Sequence, residues 1–486
     1  VSDVDGTSAL VRELRRPLRD HDPDSGIPRT QDDWGRRFAQ AVKDMRHIHG
    51  LGWHGWDQTR WRHDDTGQAA RIMSDLIHDG YAELAELTSD AAIKVAVRDL
   101  VSMRKAASVN GALYLASVRP EMAVAAREID ARPNLLNVPN GTLDLDTLEL
   151  RRHDRDDLLT KVCQGAYDRA IGETRWSRFV AEILPDEDVR AFVQRLMGVA
   201  AYGRVIEHVL AVMWGRGRNG KSTFIEAVLH ALGDYGLQAD SKLLLSGANE
   251  RHSTERADLQ GRRFAVCMET AKGSRLDAPM AKMLTGGDTI TARRMRKDNI
   301  SFEPSHTVAL ITNYKPMISG DDDALWKRVV LIPFTERFLG TEADKNLLDT
   351  LKAEAAAVIT WMVEGWQQYR QTGLAPPESV LAATSAYRDE SDALGQFIAQ
   401  RCHLATSAYA RQQPGDGSQV LYQAWTSWCH YNGESPGSNK ELTEQLIDRG
   451  WQKAKTNTGA KWLGVTLLTD AQEDKTAGQA TSGDGW

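Results

Sequence analysis

Apolar residues change their period several times along this 486-residue chain. From Trp34 to about Leu115 they recur mainly at helical spacing. The pattern breaks at GWHGWDQTRWRHDD, where Trp53, Trp56 and Trp61 flank the polar stretch Asp57–Arg60. That break predicts a small hairpin whose indoles close a satellite core; a base-stacking platform is the alternative use of the same rings. Between Asn134 and Asp168, alternation around Asn140-Gly141 predicts short strands in a compact linker. A helical segment from Trp176 to Leu196 follows. The run Val209–Trp214 then has the length and composition of a buried parallel strand. Beyond a glycine-rich loop, Phe224, Ile225, Val228, Leu229 and Leu232 return to helical spacing, with Gly233 where a helix ends.

The second half alternates in the same way. FAVCMET reads as a strand, Ala278–Leu284 as a helix, and TITARRMRKDNISFEP as a hairpin turning at Lys297-Asp298-Asn299. Buried strands are expected at His306–Thr312 and Val329–Pro333, and a long amphipathic helix from Leu347 to Tyr369, ending near Gly373. Pro376-Pro377 marks a boundary. Beyond it, Val420–Tyr431 and Asn439–Arg449 read as helices and KAKTNTGAKWLGVTLL as a basic hairpin. Helices followed by such a hairpin predict a winged-helix-like module, with Lys440, Lys453, Lys455, Lys461 and Trp462 facing nucleic acid. A structural cap or protein-docking unit is the alternative. Residues 1–33 are expected to form a mobile leader and 471–486 a disordered tail.

Composition narrows the class. A hydrophobic fraction of 41% and a charged fraction of 26% belong to a globular protein, and the length allows two to four domains. A net charge of −7 assigns any nucleic-acid contact to local basic loops rather than to a generally basic surface. Cys163, Cys267, Cys402 and Cys429 form no C-x-x-C pair, which excludes a zinc ribbon within them and fits a reducing cytosol. No signal peptide is visible, and no uncharged run is long enough to cross a bilayer.

The chemistry centres on GRGRNGKST. Gly215, Gly220, Lys221 and Ser222 satisfy G-x-x-x-x-G-K-[ST], between a strand and a helix as a phosphate-binding loop requires. Gly215, Gly217, Asn219, Gly220, Lys221, Ser222 and Thr223 are therefore the expected nucleotide contacts, with Lys221 on the β- and γ-phosphates and Ser222 on Mg²⁺. Glu269, at the carboxyl end of its strand, is placed to hold the Mg²⁺ shell and polarise a water; a structural pairing with an Arg is the alternative. Asn313 ends the next buried strand, where an amide orients the water or meets the γ-phosphate. Arg328 is either a transition-state arginine for a neighbour's nucleotide or a salt-bridge partner of Asp321–Asp323. Arg293, Arg294, Arg296 and Lys297 crowd the hairpin, where they would hold a phosphate backbone by charge, or simply form a solvated face.

In order, NLLNVPNGTLDL, GRGRNGKSTF, RRFAVCMET, KMLTGGDTITARRMRKD, ITNYKP and DDALWKRVVLIPF resemble the superfamily-three helicases of phage and plasmid primase–helicase proteins, related to the poxvirus helicase–primase. The likeness runs from about Trp34 to Asp470 and includes YQAWTSWCHYNGE. It implies an α/β AAA+-type P-loop ATPase core at 176–375, an N-terminal mainly helical collar at 34–175 and the winged-helix-like module at 378–470. It also implies a homo-hexamer around DNA, ATP and Mg²⁺ as cofactors, 3′-to-5′ unwinding of duplex DNA, and single-stranded and forked DNA as partners. Lys221, Ser222, Glu269 and Asn313 would serve one side of each nucleotide, with Arg328 coming from the neighbour and Lys297 gripping DNA. Lys327 departs from the doubled arginine usual there, which leaves Lys327 and Arg328 as rival fingers. A collar starting near residue 34 leads to the expectation of no primase site in this chain, any primase or polymerase being a separate partner. The expected setting is phage, prophage or plasmid replication in a bacterial host cytoplasm, with no membrane contact. The rival functions are an ATP-switched origin-binding or loading protein, and a packaging or defence ATPase.

Overall fold

A computed structural model describes residues 27–246, 252–268, 272–293, 299–318, 322–338, 344–457 and 459–468. At its start, Thr30 and Asp33 cap each other reciprocally: the Asp33 N–H donates to the Thr30 hydroxyl at 3.2 Å, and the Thr30 N–H to the Asp33 carboxylate at 3.0 Å. This cap opens helix α1 (Gln31–Ala41). Next come β1 (Met45–Ile48), β2 (Gly52–Trp56), β3 (Trp61–His63), α2 (Gln68–Asp79), α3 (Asp90–Met103), α4 (Ala106–Ser117) and β4 (Ala123–Val124). The strands pair in the order β3-β2-β1-β4. Trp34 and Phe38 of α1 fill a core with Met73 and Ile77 of α2, Leu100 of α3 and Ala112 of α4. The tryptophan hairpin is β2–β3, and its rings pack inward. Trp61 is 1% exposed and donates its indole N–H to the Arg155 carbonyl at 2.8 Å, while Trp53 lies edge-on to Phe38.

The strands expected in a linker are a meander, β5 (Leu135–Val138), β6 (Gly141–Asp144) and β7 (Glu149–Arg151). They do more than connect, because Leu136, Val138, Leu143 and Leu145 are buried in the principal core of the protein. The Asn137 amide adds a polar tie, donating to the carbonyls of Thr59 and Lys161 at 2.9 Å each. The helix predicted from Trp176 to Leu196 is two, α5 (Arg175–Ile183) and α6 (Glu187–Ala201). Pro185 cannot continue the first, and Asp186 caps the second.

At the centre stand β8 (Leu210–Trp214), α7 (Lys221–Leu232), β9 (Gly236–Ala239), α8 (His252–Ala257), β10 (Phe264–Met268), α9 (Ala278–Leu284), the hairpin β11 (Ile290–Arg293) and β12 (Asn299–Phe302), β13 (Thr307–Thr312), α10 (Asp323–Trp326) and β14 (Val329–Pro333). The five-stranded sheet runs β14-β8-β13-β10-β9, every pair parallel. Period-2 alternation divides β8 between two cores. Ala211 and Met213 face α6 and α7, while Leu210 and Val212 face α9, α10 and the β11–β12 hairpin. A sheet covered on both faces explains why its strands read as continuous apolar runs.

The long helix predicted over Leu347–Tyr369 is also divided, into α11 (Leu347–Ala353) and α12 (Ala355–Thr372). Glu354 stands at the break, and its carboxylate accepts from the N–H groups of Arg175 and Trp176 at 3.1 and 2.7 Å, capping α5 instead of continuing its own helix. After α13 (Glu378–Ser391) come α14 (Ala393–Arg401), β15 (Cys402–Leu404), β16 (Pro414–Gly417), α15 (Ser418–Asn432), α16 (Asn439–Asp448), β17 (Lys453–Thr456), β18 (Gly459–Leu463) and β19 (Val465–Leu467). Here a helix, two strands, two helices, a hairpin and a last strand enclose a core of their own, with a three-stranded sheet β16-β18-β17 and the pair β15-β19. Among the described residues no helix is long and apolar enough to cross a membrane.

Candidate nucleotide site

Parallel strands bring the described site residues of the central sheet to its edges. The phosphate loop follows β8, and Asn313 follows β13 directly beside it, since Thr312 pairs with Trp214. Gly217 and Gly220 take positive φ, 87° and 80°, where a side chain would be strained. Gly215 has a second constraint: a Cβ there would collide with the Asn219 amide and the Phe334 carbonyl. The helix α7 begins at Gly220 without any side-chain cap, which leaves its first N–H groups for another acceptor.

Lys221 is 3% exposed. Its ammonium donates to the Gly215 carbonyl at 2.8 Å, to Asn219 Oδ1 at 2.9 Å and to Asn313 Oδ1 at 3.3 Å. All three are neutral oxygens, and among the described residues no carboxylate pairs with it. Burial pulls its pKa down to about 8. A desolvated cation without a counter-ion, at an uncapped helix start, is matched to an anion with several oxygens. Ser222 is exposed beside it and Thr223 half-buried.

Glu269 lies outside the described residues. The last one before it, Met268, pairs with Ile311 at the same sheet edge. Arg294, Arg296 and Lys297 also lie outside them. Arg293 is described, exposed on β11 opposite Asn299. The alternation Ile290, Ala292, Ile300, Phe302 buries one face of that hairpin and turns Thr291, Arg293, Asn299 and Ser301 outward.

Arg328 stands at the opposite edge. Its carbonyl accepts from the Leu210 N–H at 2.7 Å, so it adjoins the start of β8 while the phosphate loop adjoins the end. Five residues of strand separate the two, roughly 16 Å at about 3.3 Å per residue. Its guanidinium is half-buried and donates to the Thr285 hydroxyl at 3.2 Å, and that hydroxyl donates in turn to the Ala281 carbonyl at 2.7 Å. The neighbouring aspartates are occupied elsewhere, Asp322 with Lys282 and Asp323 with Arg388. Lys327 is exposed.

In the C-terminal unit, Lys455 is exposed and Lys461 half-buried; Lys440 pairs with Glu444 along α16 at 3.7 Å. Lys453 lies 4.4 Å over the Trp462 ring and donates to the Thr443 hydroxyl at 3.0 Å. Trp462 itself is 1% exposed, so its indole belongs to the core and does not face outward. Three further residues escaped the sequence reading. Thr285 aims Arg328. Phe338 donates its N–H to the Arg218 carbonyl at 2.8 Å. Lys315 sits over Trp214 at 4.6 Å and pairs with Glu390 at 2.7 Å, tying the loop strand to α13.

Comparison with known proteins finds two family models and several viral relatives. The family model "D5 N terminal like" matches residues 35–185, and a family of unknown function (DUF5906) matches residues 213–328. The chain is 26% identical to "Putative helicase L207/L206" of Acanthamoeba polyphaga mimivirus, over 82% of this chain and 45% of that protein. It is 25% identical to "Putative helicase 121R" of Invertebrate iridescent virus 3, over 68% of this chain and 38% of that one. With "Putative primase C962R" of African swine fever virus the figures are 24%, 58% and 32%. The chain thus spans less than half the length of these relatives. A solved structure, "The A form apo structure of NrS-1 C terminal region-CTR", aligns with TM-score 0.48 and 8% identity, covering 86% of this chain and 87% of that one. By its matched regions and these relatives, the chain is similar to phage and viral primase–helicase proteins.

Proposed function

We propose that this chain is the motor of a replicative DNA helicase, driven by hydrolysis of Mg²⁺–ATP. The observation that carries the reading is the Lys221 ammonium, buried among neutral oxygens at the mouth of a phosphate loop. ATP supplies a transferable γ-phosphoryl group, and Mg²⁺ offsets the charge that builds on its oxygens. Lys221 and the N–H groups opening α7 hold the polyphosphate, Ser222 and Glu269 hold the cation, and Glu269 takes the proton of the attacking water. Asn313 orients that water. The sheet order, with the loop strand between β14 and β13, supports an AAA+-type core. The unit from α1 to β4 serves as collar, and the unit after Pro377 as a winged-helix-like DNA contact through Lys455 and Lys461.

The distance between the loop and Arg328 supports a hexameric ring. Within one chain the guanidinium is too far to touch the nucleotide, whereas the opposite edge of a neighbour can present it. The β11–β12 hairpin starts from that same edge and would line the channel, with Arg293, Arg294, Arg296 and Lys297 on the backbone of single-stranded or forked DNA. Replication of a phage, prophage or plasmid in a bacterial cytoplasm is the proposed setting, and 3′-to-5′ the proposed polarity. Strand displacement on a fork, with ATP and Mg²⁺, tests the motor. Displacement that stops with Lys221→Ala is expected. DNA-stimulated hydrolysis without displacement would replace the motor with an ATP-switched origin-binding or loading protein.

A further inference from the structure

Two exposed aromatic side chains stand at the loop's edge of the sheet, on opposite flanks. Tyr314, 52% exposed, follows Asn313 on the β13 side. Phe338, 47% exposed, lies beyond β14 on the other side. The segment leading to Phe338 is bonded at both its ends, to β8 and to the loop. Phe334 donates its N–H to the Trp214 carbonyl at 2.8 Å, its own carbonyl accepts from the Asn219 amide at 3.3 Å, and the Phe338 N–H reaches the Arg218 carbonyl at 2.8 Å. Arg218 takes a positive φ of 52°, uncommon for a residue with a side chain, and Phe338 is bonded to its carbonyl. An exposed phenylalanine on a free strand end needs no explanation. One fixed by its backbone to the tip of a phosphate loop has a defined place relative to any ligand there.

We propose that Phe338 is the stacking platform for the nucleobase of the bound nucleotide. The inference rests on the nucleotide reading of the loop and extends it to the base. Lys221 is bonded toward Asn313, so the terminal phosphates lie on the β13 flank. A nucleotide is a linear ligand held by its phosphates at the loop, and its nucleoside must therefore leave by the other flank. That flank is the exit of β14, where Phe338 offers an aromatic face. Thr335, Glu336 and Arg337 before it are exposed and polar, and Phe338 is the aromatic residue the segment presents. A π-face binds the base without reading its hydrogen-bonding edge, so the contact adds affinity for nucleosides while choosing weakly among bases.

Calorimetric binding of ADP and of inorganic tripolyphosphate to the full chain tests this. Wild type is expected to bind both. Phe338→Ala should weaken ADP about tenfold and leave tripolyphosphate within about twofold, and Phe338→Trp should restore ADP. Equal ADP affinity in wild type and Phe338→Ala overturns the platform while leaving the nucleotide site standing. Equal loss of both ligands also overturns it, because the residue would then support the loop and not the base. A wild-type chain that binds neither ligand overturns the nucleotide reading itself, and the platform with it.

Discussion

The two edges of the central sheet carry cations of opposite kinds. At the carboxyl edge Lys221 is enclosed by its own chain, held by three neutral oxygens, and pushed toward the neutral form by burial. At the amino edge Arg328 is half-buried, bonded among the described residues to the Thr285 hydroxyl, and adjoined by Asp322 and Asp323, which pair with Lys282 and Arg388. The first has all its described hydrogen-bond partners within one chain. The second is kept from its own chain's phosphate loop by the five residues of β8. One fold thus holds an enclosed cation at one edge of the sheet and a half-buried one at the other, the arrangement the proposed ring would use to join neighbouring sites.

The largest expected effect comes from removing the enclosed cation. Lys221→Ala should bring ATP turnover to background and cut nucleotide binding, as filter binding and phosphate release would record. Removing the half-buried one should cost less at binding and nearly as much in rate. Arg328→Ala is expected to bind ATP normally and to lose about 10³-fold in hydrolysis. The comparison itself is tested by mixing the two inactive variants. If the edges meet across subunits, some interfaces in mixed rings pair an intact Lys221 with an intact Arg328, and activity returns. A mixture as inactive as its parts would return Arg328 to its own chain.

Acidity separates the edges next. Burial lowers the Lys221 pKa from 10.5 to about 8, and a bound polyphosphate would raise it again. Nucleotide affinity should hold steady below pH 8 and then fall by up to about tenfold per unit as the free protein loses this proton. Without ligand the sign reverses. The unfolded chain binds more protons than the folded one between about pH 8 and 10.5, so stability should rise with pH through that window. Lys221→Met should remove both slopes in titration calorimetry and thermal melts. Persistence of either slope in that variant would assign it to another group.

How much of this could be read from the sequence follows from the range of each interaction. The phosphate loop, Asn313 and the β11–β12 strands are encoded by glycine spacing and period-2 alternation within a few residues, and they stand where the pattern puts them. The breaks at Pro185 and Glu354 differ in kind. The first has a local signal that a continuous apolar period concealed. The second depends on a cap delivered to residues 175 and 176 from 178 or more positions away. Distance in the chain also hid Thr285 from Arg328 and Leu136 from the main core. Trp462 shows the opposite hazard, since an aromatic in a basic hairpin reads as a ligand contact until Lys453 is found lying over its ring. Glu269 and Lys297, for which the sequence reading made its sharpest chemical assignments, lie outside the described residues.

The smallest effect should come from Thr285, which links the amino edge to Arg328 without touching any nucleotide. Its hydroxyl donates to Ala281 and accepts from the guanidinium, so the helix end of α9 fixes where the arginine points. A hydrogen bond to a charged group contributes about 1.5–3 kcal/mol, but a partly exposed guanidinium recovers much of that from water. Thr285→Val should therefore slow hydrolysis by roughly fivefold, within the range of one such bond, and leave nucleotide affinity unchanged. Thr285→Ser, which keeps the hydroxyl, should restore the rate. In mixed rings the defect should follow the subunit that donates Arg328 and be absent from the one that contributes Lys221. A Thr285→Val defect that instead followed the Lys221 side would mean that α9 acts on its own loop, and the division of labour between the two edges would fail.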